Sequence, residues 1–174
     1  MIKNLKNDYQ LRGRAFEHIA RTLLRRERKN NFIFDTKQFD SFEEIKTKYR
    51  LKITKDLKDI ETYFKTNQIK TDLIEFILNN KTDRIIEKIN FYEVKTRKHD
   101  SKRKYYETCL SNHEFIETMQ NKNYECFIIS IILFENWTFS FKLHQYNEVL
   151  LRIYDSTIKK TIGFTKNNKL IKKT

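Results

Sequence analysis

The chain has 174 residues, 39% of them hydrophobic, with 14 Phe and 9 Tyr, so it has the material for one domain with a core of its own. Lys and Arg number 36 against 23 Asp and Glu, a formal net charge of +13, with two Gly and no Pro. The aromatic content excludes a disordered basic tail, and no apolar run is long enough to span a membrane.

The longest apolar run, Phe127 to Phe134, is broken by Ser130. Met1-Ile2-Lys3-Asn4 lacks the apolar segment of a secretory signal, so a soluble, cytoplasmic protein with no membrane partner is expected. Cys109 and Cys126 are too few for a disulfide framework or a zinc site. The scarcity of Gly and Pro beside many Lys, Asn, Ile and Phe reflects AT-rich codon usage in part. Asp and Glu codons tolerate the same bias, however, so the excess positive charge points to a polyanionic partner.

In chain order, residues 7–29 read as a helix, with Phe16, Ile19 and Leu23 at helical spacing. Arg21, Arg25, Arg26, Arg28 and Lys29 crowd its C-terminal half, where cations suit the helix dipole. Two shorter helices are predicted at 41–49, with Ser41 and Glu44 as a capping box, and at 55–65. Asp72 to Leu78 and Arg84 to Thr96 are β-prone and flank Asn79-Asn80-Lys81-Thr82-Asp83, which predicts an antiparallel hairpin. A helix follows over 111–121, with Ser111 and Glu114 as a second capping box and Leu110 and Phe115 as a hydrophobic staple. Tyr124 to Phe134 suits a buried central strand, and Thr138 to Leu143 alternates as a further strand. The pattern beyond Tyr146 is not legible. The whole predicts an α/β fold, a mixed central sheet flanked by helices, in a single domain over 1–174. A helical insertion falls at about 39–68 and a C-terminal extension at about 135–174.

Hairpin geometry puts residue 72 opposite residues 90 to 94, so Asp72 neighbours Glu93. Glu93 and Lys95, two apart, project from one face of their strand. Two carboxylates and an ammonium thus converge at one end of the sheet. Mg²⁺ takes one or two carboxylates plus water, and a lysine beside them can serve an attacking water. Glu-x-Lys on a strand recurs constantly by chance, and taken alone it reads as a plain solvated face. The β-prone setting, the Asp at the start of the preceding strand, and Glu17 favour chemistry. Glu17 shares a helix face with Gly13, Ala20 and Leu24, small enough in part to approach the sheet, although an exposed Glu paired to Arg14 or Arg21 fits the same spacing.

Arg12-Gly13-Arg14-Ala15-Phe16-Glu17, Thr71-Asp72-Leu73-Ile74-Glu75-Phe76 and Phe91-Tyr92-Glu93-Val94-Lys95-Thr96 together resemble the signature of the PD-(D/E)XK nuclease superfamily. The resemblance covers residues 10–134 as a pattern. It implies a restriction-endonuclease-like α-β-β-β-α-β core and Mg²⁺-dependent hydrolysis of DNA, less often RNA, with Mn²⁺ as a substitute. Carried over, Asp72, Glu93 and the backbone carbonyl of Val94 would hold the metal, Lys95 would serve the water, and Glu17 would be the accessory helix acid. Thr71 stands where that family's motif has Pro. By analogy a homodimer is favoured, since cutting both strands takes two sites.

After the site, Arg97, Lys98, Lys102, Arg103 and Lys104 form a basic stretch expected to grip backbone phosphates, with Tyr105 and Tyr106 either stacking on a base or opening the next packed element. His18, His99, His113 and His144 show no zinc-ligand spacing, and Gly13 and Gly163 make no phosphate loop. The chain therefore reads as a nuclease acting on DNA. The alternatives are a non-catalytic nucleic-acid-binding protein that keeps this fold, or a structure-specific nuclease acting on RNA.

Overall fold

The computed structural model describes residues 9–28, 31–79, 82–102, 105–109, 112–136, 138–146, 151–154 and 159–165. Helix α1 (Tyr9–Glu27) leads into the short strand β1 (Phe32–Asp35). Helix α2 (Phe42–Tyr49), strand β2 (Lys52–Ile53) and helix α3 (Lys58–Thr66) follow. Then come β3 (Leu73–Leu78), β4 (Ile85–Lys98), β5 (Tyr105–Cys109), helix α4 (His113–Asn121), β6 (Glu125–Leu133), β7 (Phe139–Gln145), β8 (Leu151–Tyr154) and β9 (Lys159–Thr165). Helices therefore flank a six-stranded mixed sheet of order β1-β3-β4-β6-β7, with β2 paired to the start of β4. The first three of these strands are antiparallel neighbours, whereas β4 and β6 run parallel.

The two faces of this sheet bury separate apolar sets. Phe16, Ala20 and Leu24 of α1 pack with Leu73, Tyr92, Val94 and Ile129. Residues of α2, α3 and α4, among them Phe42, Ile60 and Phe115, pack with Ile74, Phe91 and Ile128 on the opposite face. The alternation follows from the pleat of β4, whose odd and even residues leave on opposite sides.

Local signals account for much of this. Ser41 Oγ caps α2 by accepting from the Glu44 backbone N–H at 3.1 Å, and Glu44 Oε2 reaches one residue beyond the cap to accept from the Asp40 N–H at 2.8 Å. The hairpin turn returns through Arg84 at φ 52°, a left-handed residue after the Asn-rich segment. Helix α4 differs from expectation. Asn112 precedes it and makes no side-chain cap bond, while Ser111 and Leu110 lie outside the described residues.

The structure also adds strands. The expected strand to Thr96 runs two residues further, into the basic stretch. Strand β4 continues to Lys98 because β6 pairs with it as far as Leu133, so Arg97 and Lys98 are strand residues. Beyond Tyr146, β8 and β9 join β5 in a second, three-stranded antiparallel sheet. Cys126 is free and buried, and burial pushes its thiol up to about 12, which leaves it inert. Among the described residues no helix is long and apolar enough to cross a membrane.

Gly13 plays no part in close packing, contrary to the expectation that its small size lets α1 approach the sheet: a Cβ built there meets nothing within 4 Å. Ala20 and Leu24, both 0% exposed, make that approach instead. Gly13→Ala should therefore stabilise the protein by roughly 0.5–1 kcal/mol through backbone entropy alone. A thermal melt in which the variant unfolds at the same or a lower temperature would show that this turn of α1 needs glycine.

Candidate active site

Leu73 pairs with Tyr92, so Asp72 enters the sheet opposite Glu93. The backbone of Asp72 is fixed from the β1 side. The Thr36 N–H donates to the Asp72 carbonyl at 3.1 Å, and the Thr36 hydroxyl donates to the carbonyl of Thr71. Thr71 thus anchors the strand entry by its carbonyl, which any residue supplies.

The Asp72 side chain lies along the ladder. Its Oδ2 accepts the Val94 N–H at 2.8 Å, where β3 has not yet begun and no strand partner is available. A strand residue's N–H and C=O leave toward the same edge, so the Val94 carbonyl is directed to the Asp72 side as well. Glu93, 2% exposed, receives Lys95 Nζ at 2.6 Å on Oε1. Asn112 Nδ2 adds bonds at 3.3 and 3.2 Å to its two oxygens. The Asn112 side chain that leaves α4 uncapped is the one that holds Glu93.

Glu17 joins through a residue that the sequence did not single out. Lys37 Nζ lies 2.7 Å from Glu17 Oε1 and 2.9 Å from Asp72 Oδ1, and so bridges α1 to the strand entry. Neither Arg14 nor Arg21 takes that role. Lys37 sits in a single 3-10 turn after β1, held by its own N–H donating to Asp35 Oδ1 at 3.0 Å. The Asp-Thr-Lys order was the available signal, since an Asp that caps a turn two residues on fixes where the lysine emerges. Asn112 carried no signal beyond its place before a helix.

Burial dominates the electrostatics of the cluster. Burial, then the charge of Asp72, raises Glu93 above the ordinary carboxylate range, against the pull of Lys95 and Asn112. Burial likewise raises Glu17, opposed by Lys37 and reinforced by Asp72. Burial works against the ammonium of Lys37, yet its bonds to Asp72 and Glu17 overcome that and raise it above its usual value. Among the described residues no three Asp, Glu, His or Cys side chains come together as a metal cage. Asp72 and Glu93 supply two hard carboxylates with a backbone carbonyl beside them, and that donor set fits Mg²⁺, which keeps much of its water. Lysines stand on both flanks of the pair.

The raised state of Glu93 has a consequence for stability. Below the unfolded value of about 4.5 the group is protonated in both states and no penalty exists. Between that value and the higher folded value the folded chain keeps a proton that the unfolded chain has lost, so stability falls as pH rises, and above it the cost of burying the charge remains. Glu93→Gln, which keeps an acceptor for Lys95 and Asn112, should gain stability over the wild type between pH 4 and pH 8. The gain should be on the order of 1 kcal/mol, as for other relaxed functional sites. Chemical denaturation without divalent metal at both pH values measures it, and an offset unchanged with pH would refute the reading.

The remaining expected residues are spread out. Arg97 is half-buried on β4, Lys98 and Lys102 are exposed, and Arg103 and Lys104 lie outside the described residues. The backbone of Tyr105 and Tyr106 belongs to β5. His144 is buried and shares a 2.9 Å hydrogen bond with Ser130, while the His99 ring lies 4.8 Å from that of Phe134. No protein-family model matches the chain, and no curated protein matches it either.

Proposed function

We propose that this chain is a metal-dependent endonuclease of the PD-(D/E)XK kind, hydrolysing DNA phosphodiester bonds. The observation that carries the reading is the meeting of Asp72, Glu93 and Lys95 where β3 begins, with Glu17 tied in through Lys37. The order α1, β1, β3, β4, α4, β6, with α2, β2 and α3 inserted after β1, supports a restriction-endonuclease-like core. The surplus of positive charge supports a nucleic-acid substrate.

Asp72, Glu93 and the Val94 carbonyl would hold Mg²⁺ or Mn²⁺. Once bound, the cation would supply Lewis acidity toward the phosphodiester and toward water. Lys95, fixed by Glu93, orients the attacking water and neutralises charge that develops on the phosphoryl oxygens. Asn112 keeps Glu93 from turning away. Glu17 and Lys37 set the rotamer of Asp72. Arg97, Lys98 and Lys102, with Arg103 and Lys104 beyond them in sequence, supply affinity for backbone phosphates, which needs no particular base.

One observation favours a second reading. Lys37 already neutralises Asp72 and Glu17, as a retained but silent site in a binding protein would need. Incubation with linear, branched and single-stranded DNA and with RNA, with Mn²⁺ or EDTA, separates the two. The nuclease reading expects Mn²⁺-dependent cleavage of at least one DNA. Tight binding with no cleavage of any substrate, and no Mn²⁺-induced rise in unfolding temperature, would establish the binding protein.

A further inference from the structure

A cavity of about 280 Å³ opens beside the site, walled by Lys37, Phe39, Asp40, Ile45, Gln68 and Ile69. We infer that it receives a single unpaired base of the nucleic acid, one offering N–H donors on its edge, while the neighbouring phosphate approaches the lysines that flank Asp72 and Glu93. The inference rests on the nucleic-acid reading above and names the substrate feature that the inserted segment selects.

The cavity is joined to the acid site on both sides. Lys37 forms one wall, and its ammonium is the group that bridges Glu17 and Asp72. Ile69 forms another, three residues before Asp72 in the same descending segment. A group that fills the cavity is therefore one short step from the carboxylates.

Size and chemistry select the occupant. The volume lies just under the roughly 300–1,000 Å³ of pockets for drug-sized ligands, so one flat ring system fits and a longer segment does not. Phe39, Ile45 and Ile69 give apolar walls. The Phe39 ring is fixed edge-on against Phe34 at 5.7 Å and Tyr49 at 6.1 Å, with Lys48 Nζ 5.1 Å from its centroid. A ring so held is a rigid aromatic wall for a base to pack against. Asp40 disfavours a phosphate in the same space, since its carboxylate would face another anion. It suits instead the amino and ring N–H groups of guanine or the amino group of cytosine, which carboxylates accept. Asp40 is held by its own N–H, which donates to Glu44 Oε2 at 2.8 Å, and Gln68 is exposed beside it, able to donate and accept. The first turn of α2 thus sets the acceptor at the mouth.

The test measures binding of the full chain in EDTA to three fluorescent DNA hairpins: fully paired, with one unpaired guanine, and with one unpaired thymine. The unpaired guanine should bind roughly 5- to 150-fold tighter than the paired hairpin, the effect of stacking one base, and also tighter than thymine. Asp40→Asn should erase the preference for guanine over thymine, and Gln68→Ala should weaken it. Both positions are exposed, so the fold should survive. Equal affinities for all three hairpins, or a preference that both variants leave intact, would overturn the inference. Cleavage of the same hairpins with Mn²⁺ is read separately. Absence of cleavage with the guanine preference intact would sink the nuclease reading and leave the pocket standing.

Discussion

Lys95→Ala should lower the Mn²⁺-dependent cleavage rate by roughly 10²–10⁴-fold, the range expected when a positioned proton-transfer group is removed. Its affinity for the same DNA should stay within a few fold. The two effects separate because Lys95 is turned inward. Its side chain is 14% exposed and its ammonium is spent on Glu93 Oε1. One such charge adds little to the phosphate contacts that govern affinity. Asp72→Asn and Glu93→Gln should be as damaging, because each removes an anionic oxygen from the proposed metal site. They should also abolish any Mn²⁺-induced rise in unfolding temperature, whereas Lys95→Ala should keep it. That split identifies Lys95 as a group acting on water rather than on the metal. Single-turnover rates at saturating Mn²⁺, with anisotropy titrations in EDTA, provide both measurements. A Lys95→Ala protein cutting within threefold of wild type would remove Lys95 from the reaction.

The sequence carried the centre of this site because its geometry is local. A two-residue period places Glu93 and Lys95 on one face, and a short hairpin brings Asp72 opposite, so three positions follow from pleat and ladder alone. Lys37 and Asn112 were not legible, because each reaches the site across tertiary space, from the turn after β1 and from the start of α4. The strands show the same division. The run Glu125–Leu133 is apolar on both faces and reads as a buried parallel strand from composition. Phe32–Asp35 is only four residues long, and β8 and β9 alternate weakly, with Arg152 and Lys160 inside them. Such strands exist because a neighbouring strand completes their hydrogen bonds. Gly13 shows the opposite error, a small residue read as a packing contact that faces open space.

Arg28→Ala should cost about 3 kcal/mol of stability, near the lower end for breaking a buried ion pair. On the α1 face of the sheet, opposite Glu93, Glu75 is 0% exposed and fully engaged. Its Oε2 accepts from Arg28 Nη1 at 2.7 Å, Asn90 Nδ2 at 2.8 Å and the Tyr92 hydroxyl, and its Oε1 from Asn31 Nδ2 at 2.7 Å. Burial, then the charge of Glu75, raises the Tyr92 phenol so that it remains a donor. Arg28 is the one cation in this set, and its guanidinium also lies 5.9 Å from the Tyr92 and Phe127 ring centroids. Removing it leaves a carboxylate in the core with neutral donors only. The Arg28 side chain is 27% exposed, so water would enter and hold the loss toward the lower figure. Glu75→Gln should cost less, since the freed guanidinium reaches solvent and the amide still accepts from Asn31 or Asn90. Glu75 on β3 and Asn90 and Tyr92 on β4 clamp the hairpin that sets Asp72 against Glu93, so Arg28→Ala should also bring forward the temperature at which cleavage is lost. Urea unfolding at pH 7 measures the stability. A loss under about 1 kcal/mol for Arg28→Ala, the size of an exposed pair, would mean that Glu75 does not depend on Arg28 for its charge.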